Sequence, residues 1–132
     1  MKKLLLVLTL LLVVLVACGG TPLASTFDEG VVREISVQVI EDVMAQDYES
    51  VWERFDPAMV AALPTVSAFE DAIGEFIVNA GENRDVTVMA INGETVDGQD
   101  IARVVVRARN EDGNLQFTIA FNTDMELISF MM

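Results

Sequence analysis

Arg103-Val104-Val105-Val106-Arg107-Ala108-Arg109 and Leu115-Gln116-Phe117-Thr118-Ile119-Ala120-Phe121-Asn122 alternate apolar and polar side chains with a period of two, as half-buried strands do. Asp112-Gly113 lies between them, a dipeptide that tolerates the positive φ angles of a tight hairpin. With those two residues as the loop, Ala108 faces Phe117, Val106 faces Ile119 and Val104 faces Phe121. The same rule at Asp97-Gly98 sets Ile91 opposite Val104 and Met89 opposite Val106, and a loop at Asp124-Met125 sets Ile128 opposite Phe121 and Phe130 opposite Ile119. All three turns put the apolar sets on one face, and a slip of one residue at any of them would reverse a whole strand. The stretch from Asp85 to Met132 therefore reads as four antiparallel strands in succession.

The chain upstream of the sheet is helical in pattern. Thr26-Phe27-Asp28-Glu29 has the spacing of a capping box, and Val32, Ile35, Val39 and Val43 recur at helical steps behind it. Asp47 caps a second segment with Tyr48, Val51, Trp52 and Phe55 on one side. Asp56-Pro57 opens a short helix that ends by Pro64. Ser67-Ala68-Phe69-Glu70 is a second capping box, and Phe69, Ile73, Phe76 and Ile77 form the buried side of a last helix that stops at Gly81. Helices followed by a meander give an α+β fold, the N-terminal helices packed on one face of a four-stranded antiparallel sheet.

The first residues do not belong to that domain. Lys2 and Lys3 precede an apolar run, Leu4 to Val16 with Thr9 inside it, which has the charged start and hydrophobic core of a secretory signal. The run is shorter than the ~20 residues of a membrane span. It ends in Leu15-Val16-Ala17-Cys18-Gly19, which resembles the lipobox of bacterial lipoproteins, in which the signal is cut before a cysteine that then receives lipid. That resemblance implies a signal peptide over 1–17, a lipidated Cys18 with a short tether over 18–26, and a domain over 27–132. The protein is then exported and anchored, at the outer face of the cell membrane or at an outer membrane. Acyl burial contributes about 0.8 kcal/mol per methylene, so two or three chains hold durably.

Composition narrows the chemistry. There is no histidine, and lipidation would use the only cysteine, which excludes His-based triads, cysteine nucleophiles and the usual zinc sites. The formal charge of −13 becomes about −15 once Lys2 and Lys3 are removed, and no lysine remains. Nucleic acid, which needs a basic footprint, is not an expected partner. The oxygen-rich stretches from Asn92 to Asp100 and from Asn110 to Asn114 are turn chemistry and lack the spacing of a calcium loop. No cofactor is expected.

Ala45-Gln46-Asp47-Tyr48-Glu49-Ser50-Val51 with Phe55, a helix ending near a glycine, and a meander closing on Ile119-Ala120-Phe121-Asn122 and a hydrophobic strand resemble small exported domains of the nuclear-transport-factor-2-like superfamily. The resemblance covers about residues 28–132 and implies a cone-like fold. It carries isomerases, dehydratases and inert binding domains alike. The face assigned to the cavity is apolar apart from Thr87 and offers no carboxylate, which favours binding over catalysis. A small isomerase or hydratase, or an accessory subunit of an envelope complex, is the alternative.

On the other sheet face Arg103, Arg107 and Arg109 share one row, with no acidic neighbour in this register. They are candidates for an anionic small ligand or peptide, because guanidinium forks suit carboxylate and phosphate. Val88, Val105, Leu127 and Met131 beside them are candidates for a homodimer face.

Overall fold

Asp28 starts the first helix: its Oδ1 accepts a hydrogen bond from the Val31 amide at 3.1 Å. This computed structural model describes residues 21–132, so the signal and the lipidation expected at Cys18 lie outside the described residues. Helix α1 spans Glu29–Met44 and buries Val32, Ser36, Val39, Ile40 and Val43. Thr26, expected to be the cap, instead donates its hydroxyl to Asp100 at 3.2 Å.

Short helices α2 (Tyr48–Trp52) and α3 (Pro57–Ala62) are capped by Asp47 and Asp56 as expected. Helix α4 (Val66–Ala80) is capped by Thr65, two residues before the capping-box serine, and ends at Gly81 with φ 76°. Once Thr65 accepts from the Ala68 amide, Ser67 already lies inside the helix.

The sheet runs β1 (Asn83–Val96), β2 (Gln99–Asn110), β3 (Leu115–Phe121) and β4 (Leu127–Met131), in spatial order β1-β2-β3-β4. Helices packed against a four-strand antiparallel meander make it an α+β domain, as the sequence pattern predicts. Val104, Val106, Ala108, Phe117, Ile119 and Phe121 all point into the core with no exposure, so the inward face has the expected parity.

The register differs in three places, each with a local cause. Ala108 faces Leu115, Val106 faces Phe117 and Val104 faces Ile119, a slide of two residues that keeps every side chain on its face. The loop is four residues long because buried Asn110 braces it, donating to the carbonyls of Gly113 at 2.9 Å and Ala108 at 3.1 Å. Backbone bonds from Glu111 to Glu82 and from Asp112 to Ala80 tie the same loop to the end of α4.

In β1 a bulge at Met89 puts Val88 opposite Val106 and turns Met89 outward, where it is 46% exposed. Thr87 turns outward with it. In β4 a bulge at Ile128 pairs Phe121 with Leu127, which is fully buried.

The chain ahead of α1 is also docked. The Gly93 amide of β1 donates to the Thr21 carbonyl at 2.9 Å, and Leu23 packs against the core. A Cβ on Gly93 would collide with the Pro22 carbonyl oxygen, so this strand position admits the segment because it is glycine. Thr21 to Ser25, expected as a free tether, is a strap on the edge of the sheet. The opposite edge is covered at its start, where Leu127 exchanges backbone bonds with Arg54 and Asp56 at 2.8 and 2.9 Å.

Candidate functional site

The two long helices meet the sheet differently. Helix α1 lies close over β1 and β2 through β-branched residues, whereas α4 packs on α2 and adds an aromatic ring, Phe69, to the buried Ile73 and Ile77. Phe69 of α4 makes edge-to-face contacts with Tyr48, Phe55 and Phe130 at centroid distances of 5.9, 5.1 and 5.3 Å. Phe130 in turn meets Phe117 at 5.7 Å. Such pairs add ~0.5–1.5 kcal/mol each beyond the area they bury.

Rings hold the start of α4 and the loop after β2 holds its end, while between them the side of the helix that carries Ala72 and Phe76 does not close on β3 and β4. The result is an open groove of about 460 Å³, with Ala72, Ile73 and Phe76 on the helical side and Leu115, Phe130 and Met132 on the sheet side. Asn114 and Gln116 supply its polar lining, and a shallower extension reaches Asn79 and Asp112. Phe76, expected in the core, is 57% exposed here, and Met132 is 46% exposed. A cluster of exposed apolar side chains around a concavity is a recognised mark of a binding site.

The field around the groove is negative. No lysine or arginine occurs between Arg54 and Arg84 or after Arg109, so neither wall carries a cation. Glu70, Asp71 and Glu75 lie exposed on α4, and Glu111 and Asp112 on the loop that precedes Asn114.

A second hollow, of about 360 Å³, is bounded by Gly98, Gln99, Asp100, Asn122, Thr123 and Asp124 at the other end of the sheet. Two of its polar side chains, Asp100 and Asn122, are engaged within the chain. Asp100 accepts from Thr26 and Thr95, and the Asn122 side chain bonds Asp124 and Glu126. Among the described residues no three carboxylate or thiol groups come together as a metal site.

The sequence-predicted sites fare unevenly. The bulge in β1 brings Asp85 opposite Arg109, and the two form an ion pair with Nε donating to Oδ2 at 2.8 Å. Arg103 pairs with Glu94 at 2.8 Å. The row expected to lack acidic neighbours therefore keeps only Arg107 outside an ion pair among the described residues, flanked by Thr87 and Gln116. Of the residues expected on a dimer face, Leu127 is fully buried and Val88 turns toward the core. Val105, half-buried, and Met131, 51% exposed, remain on the outer face.

Tyr48 and Trp52 are packing residues. The Trp52 indole N–H donates to the Leu63 carbonyl at 2.8 Å. The Tyr48 hydroxyl lies under α4 near Gly74, buried and without a hydrogen-bond partner in the chain. Burial, and secondarily the Glu70 carboxylate, push its pKa above the ordinary 10.0.

A model of the family described as protein of unknown function (DUF3887) matches residues 36–130. The chain belongs to that family. The NMR structure of a protein from Ruminococcus gnavus ATCC 29149 is similar to this DUF3887 chain at 26% identity and TM-score 0.63, covering 85% of this chain and 96% of that one. No curated protein matches. The family match takes in α2 to α4, the sheet as far as Phe130 and every groove residue except Met132. The strap at Thr21 to Ser25 lies outside it. No helix among the described residues is long and apolar enough to cross a membrane.

Proposed function

We propose that this DUF3887 protein is a lipid-anchored, extracytoplasmic binding domain of the cone-like type, tethered through Cys18 and non-catalytic, with the groove between α4 and β3–β4 as its binding site. The observation that carries the reading is the exposure of Phe76 at 57% in a concavity bounded by apolar side chains. The lining of the main groove supports binding over catalysis, because its polar side chains are the amides of Asn114 and Gln116, which do not move protons at neutral pH.

The strap supports an orientation. Thr21 is held at Gly93, toward the Asp97-Gly98 turn of the sheet, whereas the groove lies at the opposite end, by Asn114. Gly93 faces Ala102 and Leu115 faces Ala108, so the two ends are roughly 20 Å apart along β2. A lipid on Cys18 is at most about 10 Å of chain from Thr21. The groove therefore opens away from the bilayer, toward partners in the surrounding space.

Mass spectrometry of protein extracted from native membranes tests the anchor, with an acylated N-terminal peptide beginning at Cys18 expected and an unmodified thiol overturning it. Photocrosslinking on intact cells tests the groove. With p-benzoylphenylalanine in place of Phe76 an adduct is expected, whereas the same group at exposed Gln38 on α1 gives none. Equal adducts at both positions would place the site elsewhere.

A further inference from the structure

The groove and its shallower extension share a wall but differ in polarity. Phe76, Asn114 and Leu115 line both hollows, of about 460 and 220 Å³, and Asn79 and Asp112 belong to the extension. Asp112 is held there by its backbone. Its amide donates to the Ala80 carbonyl at 2.9 Å, and the Glu111 amide donates to the Glu82 carbonyl at 2.9 Å. A helix C-terminus is the negative end of its dipole and favours a cation, yet the last turn of α4 has no basic residue. Instead the Asp112 carboxylate lies against that end, where a Cβ on Gly81 would fall 2.5 Å from its Oδ2. No arginine offsets it. The ion pairs among the described residues join Arg33 to Glu29, Arg103 to Glu94 and Arg109 to Asp85. Arg84 enters none of them, and Arg107 lies on the outer face of the sheet beside Thr87 and Gln116.

We infer that the groove takes a small organic cation from solution, an amine or quaternary ammonium on an apolar body, and this rests on the groove being the binding site. The body lies between Ile73, Phe76 and Phe130, where it removes apolar lining from water. The cationic head lies in the extension, drawn by the Asp112 carboxylate and by the end of α4. The Phe76 ring, which borders both hollows, offers its face to the same charge. A neutral ligand uses the lining alone, and an anionic one is repelled by Asp112 and Glu111. The bilayer is not the source of the cation, because under the proposed anchoring it lies at the other end of the sheet.

Three probes share one body and differ in the head: phenylbutylamine, phenylbutanol and phenylbutanoate. Each is titrated against the full protein in phosphatidylcholine nanodiscs with empty discs as the blank, or in buffer should Cys18 prove unmodified. Fluorine NMR of p-fluorophenylalanine in place of Phe76 reports occupancy. The amine should bind at least about threefold more tightly than the alcohol and about tenfold more tightly than the carboxylate. Asp112→Asn should remove the advantage of the amine over the alcohol. Asp124→Asn, the same change of charge at the other end of the sheet, should leave that advantage intact. Equal binding of amine and alcohol, or an equal effect of the two substitutions, would overturn the inference and leave the groove as an apolar site. A fluorine signal that moves with protein concentration and with no probe would mean that a second copy fills the groove, which also overturns it. If nothing moves the signal, both readings fall together.

Discussion

Helix α1 and helix α4 cover the same sheet, yet one half of the molecule is closed and the other is open. Under α1 the contacts are Val32, Val39, Ile40 and Val43 against β1 and β2, branched side chains that bring helix and sheet into direct apposition. The strap then closes the β1 edge. Under α4 the ring of Phe69 joins Ile73 and Ile77, and a ring is long enough to span a gap that a valine cannot. A ring cluster props the start of the helix against the sheet, and beside it the side that carries Phe76 is left open. Domains with similar secondary structure on both halves can therefore differ in whether they leave room for a ligand, and side-chain size at a few contacts decides which.

Phe69→Ala is the sharpest way to break that contrast. The ring is 1% exposed and contacts Tyr48, Phe55 and Phe130, so its loss removes the aromatic contact between the start of α4 and β4. Truncation of a buried phenylalanine costs about 3–5 kcal/mol, and urea denaturation should show a loss of that size. Exchange protection should fall along α4 first and along α1 least. A uniform loss in both helices would mean that the two halves are not held separately.

Gly93→Val tests the closed half. A side chain there displaces Pro22, so the Gly93 to Thr21 bond and the packing of Leu23 are lost together. One hydrogen bond and part of one apolar side chain amount to about 1–2 kcal/mol. If Cys18 is lipidated as proposed, the consequence on the membrane is larger than the energy. A fluorophore on Asp97→Cys should be quenched by a headgroup-level quencher more than one on Asn114→Cys, and Gly93→Val should bring the two values together. Equal quenching before the substitution would show that the strap does not set the orientation.

How far the sequence discloses this contrast depends on the length scale of the cause. Parity is local, and the alternation of Val104, Val106 and Ala108 shows it directly. The bulge at Met89 also left a trace, because Val86 and Val88 follow one parity while Met89 and Ile91 follow the other. A shift of phase inside an apolar run implies an extra residue. The same reading applies at Leu127 and Ile128. The four-residue loop after Asn110 left none, since Asp112-Gly113 serves a long loop as well as a short one, and what decides between them is a pair of backbone bonds to Ala80 and Glu82. The groove is least legible. Phe69, Ile73, Phe76 and Ile77 share one helical stripe, yet Phe76 alone of the four is exposed, at the side of the stripe that faces the groove.

The smallest effect carries the opposite sign and tests how tightly α4 lies on α2. The Tyr48 hydroxyl is 5% exposed at the residue level and meets no partner, so folding strips it of water without return. Tyr48→Phe keeps the ring and its edge contact with Phe69, and it should raise stability by up to about 1 kcal/mol at pH 7. The pH dependence supplies an independent check. Burial raises the folded phenol's pKa above 10.0, so below pH 10 both states are neutral and the wild-type stability is fully present. As pH rises past 10 the unfolded chain ionises first, and stability declines by up to about 1.4 kcal/mol per pH unit until the folded phenol also ionises. Tyr48 is the only tyrosine, so the phenylalanine variant should lack that step in stability measured between pH 9 and 11.5. If wild type and variant instead run parallel over that range, the hydroxyl has water around it, and α4 does not seal the core over Tyr48.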